Sequence, residues 1–91
     1  MIDRIAEIEE KLEALAADPD QTRERIDLLN SLGWELRVDE DWRRVLELAQ
    51  QARQLSEACG YRRGIAGSLR NTAFAHYLLA DLAKAIAEAL E

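Results

Sequence analysis

Apolar residues recur three and four positions apart from the start of this chain. In "IDRIAEIEEKLEALAA", Ile5, Ile8, Leu12 and Leu15 follow at three, four and three, with Glu7, Glu9, Glu10 and Glu13 mostly between them. That spacing gives a helix a narrow apolar stripe and turns its acids toward water. About two heptads are too short for an independent coiled coil, so the helix needs a neighbour. The pattern predicts its end near Ala17.

"DPDQ" then reads as a helix start. Asp18 can accept from free backbone N–H groups, Pro19 suits the first helical position, and Gln21 stands where a capping box wants it. A second helix is predicted from about Pro19 to about Arg37, burying Ile26, Leu29, Leu32, Gly33 and Leu36. "VDED" interrupts it, and Asp39 or Asp41 caps a third helix. The inward residues of that helix are Trp42, Val45, Leu46, Ala49, Ala52 and Leu55 or Ser56. Gly60 ends it, in the usual place for a left-handed residue. A fourth helix, from about Arg62 to Leu79, turns Ile65, Leu69, Ala73 and Tyr77 inward. Asp81 caps a fifth, "LAKAIAEALE", which has no stop signal. No segment alternates with the period of a strand. The expectation is an all-α chain of about five antiparallel helices. An acidic amphipathic helix (1–17) precedes two helical hairpins (19–60 and 61–91), the second incomplete.

The two hairpins repeat one another. Laid over each other at an offset of 41, Leu28–Leu36 and Leu69–Tyr77 pair Leu28 with Leu69, Asn30 with Asn71, Leu32 with Ala73 and Leu36 with Tyr77. Self-similarity over a helix–turn–helix unit marks an α-solenoid, in which each hairpin buries its face against the next. Small residues such as Gly33, Ala49 and Ala52 suit close helix approach, and Leu36, Trp42 and Tyr77 fill the space between hairpins.

These residues resemble the tetratricopeptide repeat in an elongated form. Leu32, Gly33 and Leu36 match its first helix, Asp41 and Trp42 its turn, and Val45, Ala49 and Ala52 its second helix. Ala73, Tyr77 and Ala85 match in the second copy; Phe74 stands where a small residue belongs, and "LLAD" is one residue short for the turn. The repeat's late proline is absent from both copies. The resemblance spans roughly residues 24–91. "LLNSLGWELR" and "GIAGSLRNTAFAHYLLADLAKAI" further resemble the tetratricopeptide regions at the N-termini of bacterial adenylate/guanylate cyclases and sensor histidine kinases. That resemblance implies a regulatory or assembly region whose output domain lies beyond Glu91.

The resemblance also implies a concave groove lined by the first helix of each hairpin. By its register, Asp27, Asn30, Trp34, Arg37 and Val38 face the groove from one side, and Ser68, Asn71, Ala75, Leu78 and Leu79 from the other. The recurring Asn30 and Asn71 have two readings. Their amides either grip an extended peptide backbone with donor and acceptor or bond within and between helices. Trp34 stands off the main apolar stripe, which points to a partner surface. Arg62, Arg63 and Arg70 form either a basic rim or solvated helix faces.

Composition narrows the function classes. The 91 residues are 48% apolar and 33% charged, which suits a small helical domain and neither a disordered chain nor a membrane span. A net charge of −6 argues against nucleic acid, which needs a basic footprint. The single cysteine, Cys59, excludes an internal disulfide framework. Charges from Asp3 onward do not fit a signal peptide, so a cytoplasmic protein is expected.

Reactive chemistry is sparse. His76, the only histidine, lacks the companions of a metal set or a nucleophile pair and reads as a packing or surface residue. Cys59 reads as a buried, inert thiol. Asp39, Glu40 and Asp41 lack the spacing of calcium ligands and serve better as helix caps. "GIAG" lacks the Lys-Ser pair and preceding strand of a phosphate loop, so Gly64 and Gly67 suit close helix contact. The sequence therefore predicts a non-enzymatic protein- or peptide-binding module with no cofactor and no metal. An enzyme completed by residues outside the chain is the alternative of another class. A self-association module is the alternative within binding proteins. Leu82, Ile86 and Leu90 on the fifth helix, and Ile5, Ile8, Leu12 and Leu15 on the first, are its expected homodimer contacts.

Overall fold

The computed structural model describes residues 3–15 and 18–90, and among these it contains helices and short turns but no strand. Helix α1 spans Arg4–Leu15, α2 Thr22–Leu36, α3 Trp42–Cys59 and α4 Arg62–Ala89. Short 3₁₀ turns at Pro19–Gln21 and Arg37–Asp39 join α1 to α2 and α2 to α3. The expected end of the first helix near Ala17 lies outside the described residues.

Local chemistry accounts for these boundaries. Asp3 caps α1, its Oδ1 accepting from the N–H groups of Ile5 at 3.0 Å and Ala6 at 3.3 Å. Asp18 caps the first 3₁₀ turn by accepting from Asp20 N–H at 3.0 Å, and α2 continues directly from that turn. Of the two candidates before α3, Asp41 is the cap and accepts from Arg44 N–H at 3.3 Å. Gly60 has φ 69°, and Tyr61 N–H reaches back to Ser56 C=O at 2.8 Å, closing α3 with a Schellman turn.

The core lies where α1, α2 and α3 meet. Ile8, Ile26, Leu29, Leu32, Leu48 and Ala52 form it, with Ile5, Leu12, Leu28, Leu36, Leu55 and Tyr61 packed against them. The α1 stripe, proposed above as a contact surface between copies, is thus engaged inside the chain. Ile8 is only 2% exposed, and Leu15 is half-buried. An exposed ion pair, Arg4–Glu35 at 3.6 Å, ties α1 to the end of α2 and adds little energy.

Helix α4 departs from expectation twice. First, it is one helix of 28 residues where two were expected. "LLADLAKAIAEA" contains no Gly or Pro, and nearly all its residues favour helix. Asp81 alone cannot stop propagation once the preceding turns are fixed. Second, its inward face is not Ile65, Leu69, Ala73 and Tyr77. Leu69 is 44% and Tyr77 70% exposed, while Gly64, Ser68, Asn71 and Ala75 are buried. These smaller residues at spacing four, three and four let α4 lie closer to α2 and α3 than a row of Leu and Ile would.

The same helical side continues past Ala75 with larger residues. Leu78, Leu79, Leu82 and Ile86 extend the row, and every described residue from Leu79 onward is exposed. The projecting half-helix stretches the molecule to 54 × 34 × 16 Å. Its radius of gyration of 14.9 Å exceeds the roughly 12 Å typical of a compact chain this long. Among the described residues, no helix is long and apolar enough to cross a membrane.

Candidate functional site

A cleft of about 400 Å³ runs between α2 and the first half of α4. On α2 its lining is Asp27, Asn30 and Ser31; on α4 it is Arg63, Ala66, Gly67 and Arg70. Each set falls at helical spacings of three and four, so each is one face of its helix.

The cleft exists because two asparagines hold α2 and α4 at a fixed, short distance. Asn30 Nδ2 donates to Gly64 C=O at 3.1 Å, and Asn71 Nδ2 donates to Asn30 C=O at 3.0 Å. Both side chains lie in the interface, Asn30 7% and Asn71 1% exposed. Two glycines make room for them. A Cβ on Gly67 would sit 2.8 Å from Asn30 Nδ2, and one on Gly33 would sit 3.1 Å from Asn71 Nδ2. Arg70 Nη2 donates to Asn71 Oδ1 at 3.5 Å. Asn30 Oδ1 is different: it is buried and has no hydrogen-bond partner among the described residues.

An aromatic–arginine cluster lies beside one end. Trp34 packs edge-on against Phe74 at 5.4 Å between centroids, and Trp42 lies 6.0 Å from the same ring. The guanidinium of Arg37 stands 3.8 Å from the Trp34 ring and that of Arg70 4.4 Å. Arg37 also donates to Trp34 C=O at 2.6 Å. Trp34 thus has partners within its own chain.

Toward the other end, Tyr61 O–H donates to the Asp27 carboxylate, 2.9 Å from each oxygen. The hydrogen bond it donates to Asp27, burial and the negative charge of Asp27 push the Tyr61 hydroxyl above its ordinary value of 10.0, while Arg63 and Arg23 oppose the shift. Arg23 lies 5.2 Å from the Tyr61 ring.

The groove residues named from the sequence therefore separate into four groups. Asp27 and Asn30 line the cleft, and Trp34 and Arg37 belong to the cluster beside it. Asn71, Ser68 and Ala75 are buried at the helix interface. Leu78 is half-buried, whereas Val38 at 71% and Leu79 at 37% are exposed. Ser31, Ala66 and Gly67 are lining residues that sequence reasoning left out of the groove. The row Arg63, Ala66, Gly67 and Arg70, at three, four and seven, was the available signal.

Elsewhere, Cys59 is exposed, correcting the expectation of a buried thiol; the Schellman turn places it at the solvated end of α3. His76 is exposed on α4. Among the described residues, no group of His, Cys, Asp and Glu is placed to hold a metal ion.

Because Asn71 is engaged between helices, Asn71→Ala should destabilise the fold by about 1–3 kcal/mol. For a domain this small, that lowers the melting temperature by several degrees. A thermal scan giving an unchanged midpoint would contradict this placement. Searches of protein-family models, curated proteins and solved structures find no match to this chain.

Proposed function

We propose that this chain is a non-enzymatic binding module of tetratricopeptide type, taking an extended segment of another protein between α2 and α4. The observation that carries the reading is the cleft itself, a concave space lined by polar side chains, one of which leaves an acceptor unpartnered. A peptide supplies both N–H and C=O groups along its length, which suits such a lining. In this reading the module is the regulatory or assembly region of a cytoplasmic bacterial signalling protein of the cyclase or histidine-kinase kind.

Self-association is a second reading, favoured by the projecting half of α4. Leu82 is 54%, Ile86 53% and Leu90 83% exposed. Fully burying one such side chain contributes roughly 1.5–3 kcal/mol. A two-fold pairing of these half-helices covers both copies with one patch.

The two readings have separate tests. Ala66 is exposed and lines the cleft, so Ala66→Trp fills it from the solvent side. Peptides selected from a random library on the wild-type chain should lose about tenfold or more in affinity for Ala66→Trp. Selected peptides that bind both proteins equally would contradict the cleft reading. For self-association, sedimentation equilibrium should give a mass above 10.3 kDa at high micromolar concentration, with Ile86→Glu restoring 10.3 kDa. A wild-type mass that stays at 10.3 kDa would remove the second reading.

A further inference from the structure

The cleft lining carries more positive than negative side chains, opposite in sign to the chain as a whole. The chain has a net charge of −6, and Arg4, Lys11, Arg43 and Arg53 each have a carboxylate within 3.6 Å. Arg63 and Arg70 do not: among the described residues neither has a carboxylate at ion-pair distance. Both are exposed, and both line the cleft from one face of α4. The one acid in the lining, Asp27, accepts the Tyr61 hydroxyl with both oxygens. The lining thus sets two cations against one carboxylate.

Arg63 and Arg70 are seven residues apart, which places them about 10 Å apart along the helix axis. A polyproline-II segment presents residues i and i+3 on one side about 9 Å apart. Asn30 Oδ1 discriminates further. It is a buried acceptor without a donor, and a peptide has N–H groups to give where a sulfate or a phosphodiester group has none.

Resting on the cleft reading above, we infer that the bound segment is acidic. Two carboxylates three residues apart pair with Arg63 and Arg70, and a backbone N–H between them serves Asn30 Oδ1. The acids supply selectivity, because a chain of net charge −6 disfavours an anionic peptide overall while the two arginines of this cleft attract one.

The test uses acetyl-Gly-Glu-Ser-Ala-Glu-Gly-amide carrying a fluorophore, followed by anisotropy. Its counterparts replace both Glu by Gln or both by Lys, and a short oligothymidylate serves as a non-peptide anion. The Glu peptide should bind wild type about fivefold or more tighter than the Gln peptide, and the Lys peptide weakest. Arg63→Glu should lower affinity for the Glu peptide and raise it for the Lys peptide; circular dichroism checks that this surface variant folds. If Glu and Gln peptides bind equally and Ala66→Trp abolishes both, the acidic preference is wrong while the cleft reading stands. If none of the peptides binds, or Ala66→Trp leaves their binding unchanged, the cleft reading falls too. Oligothymidylate binding as tightly as the Glu peptide would overturn the peptide assignment.

Discussion

Two amide side chains, Asn30 and Asn71, fix how closely α2 and α4 approach. Each donates to a backbone carbonyl across the interface, so neither helix can slide or rotate without stranding a buried polar group. A single such bond contributes only about 1 kcal/mol net, but an unmade one costs up to about 3 kcal/mol. The constraint is therefore stronger for specificity than for stability. It also explains the composition of the contact: Gly33 and Gly67 lie against the amides, where a methyl group would crowd them. With the helix spacing set in this way, the outer faces of α2 and α4 diverge into the cleft, and Arg63 and Arg70 stand on its wall.

The same constraint divides α4 into two halves of different character. Its first half carries Gly64, Ser68, Asn71 and Ala75 inward, because an interface this close has room only for small or hydrogen-bonded residues. Its second half continues the row with Leu79, Leu82 and Ile86, sized for a looser contact that the described chain does not supply. One helix thus joins a polar cleft to an apolar, uncovered stripe.

Legibility in the sequence followed the strength of the hydrophobic signal. The inner faces of α2 and α3 were readable because Ile26, Leu29, Leu32, Val45 and Ala52 recur at helical spacing, although Leu48 was missed and Leu46 named instead. Asp41 and Gly60 were readable because their capping chemistry is local. The inward face of α4 was not, since Gly64, Ser68 and Asn71 carry no hydrophobic signal and Ile65 and Leu69 on the other side do. Asp81 misled for a related reason: a capping residue favours a helix start but does not impose one inside a run of helix formers. Trp34 called for a partner, and the partner proved to be Phe74 with two arginines of the same chain. The repeat offset of 41 paired Asn30 with Asn71, and the fold brings these two residues into contact. Periodicity alone could not say which side of each helix they would face.

The asparagine contact is open to direct observation. In a nuclear Overhauser experiment, the side-chain amide protons of Asn71 should show cross-peaks to the α-protons of Gly33, and those of Asn30 to the α-protons of Gly67. All four amide protons should exchange slowly with water. Rapid exchange without those cross-peaks would place the amides in solvent and contradict the account of how α2 and α4 are held.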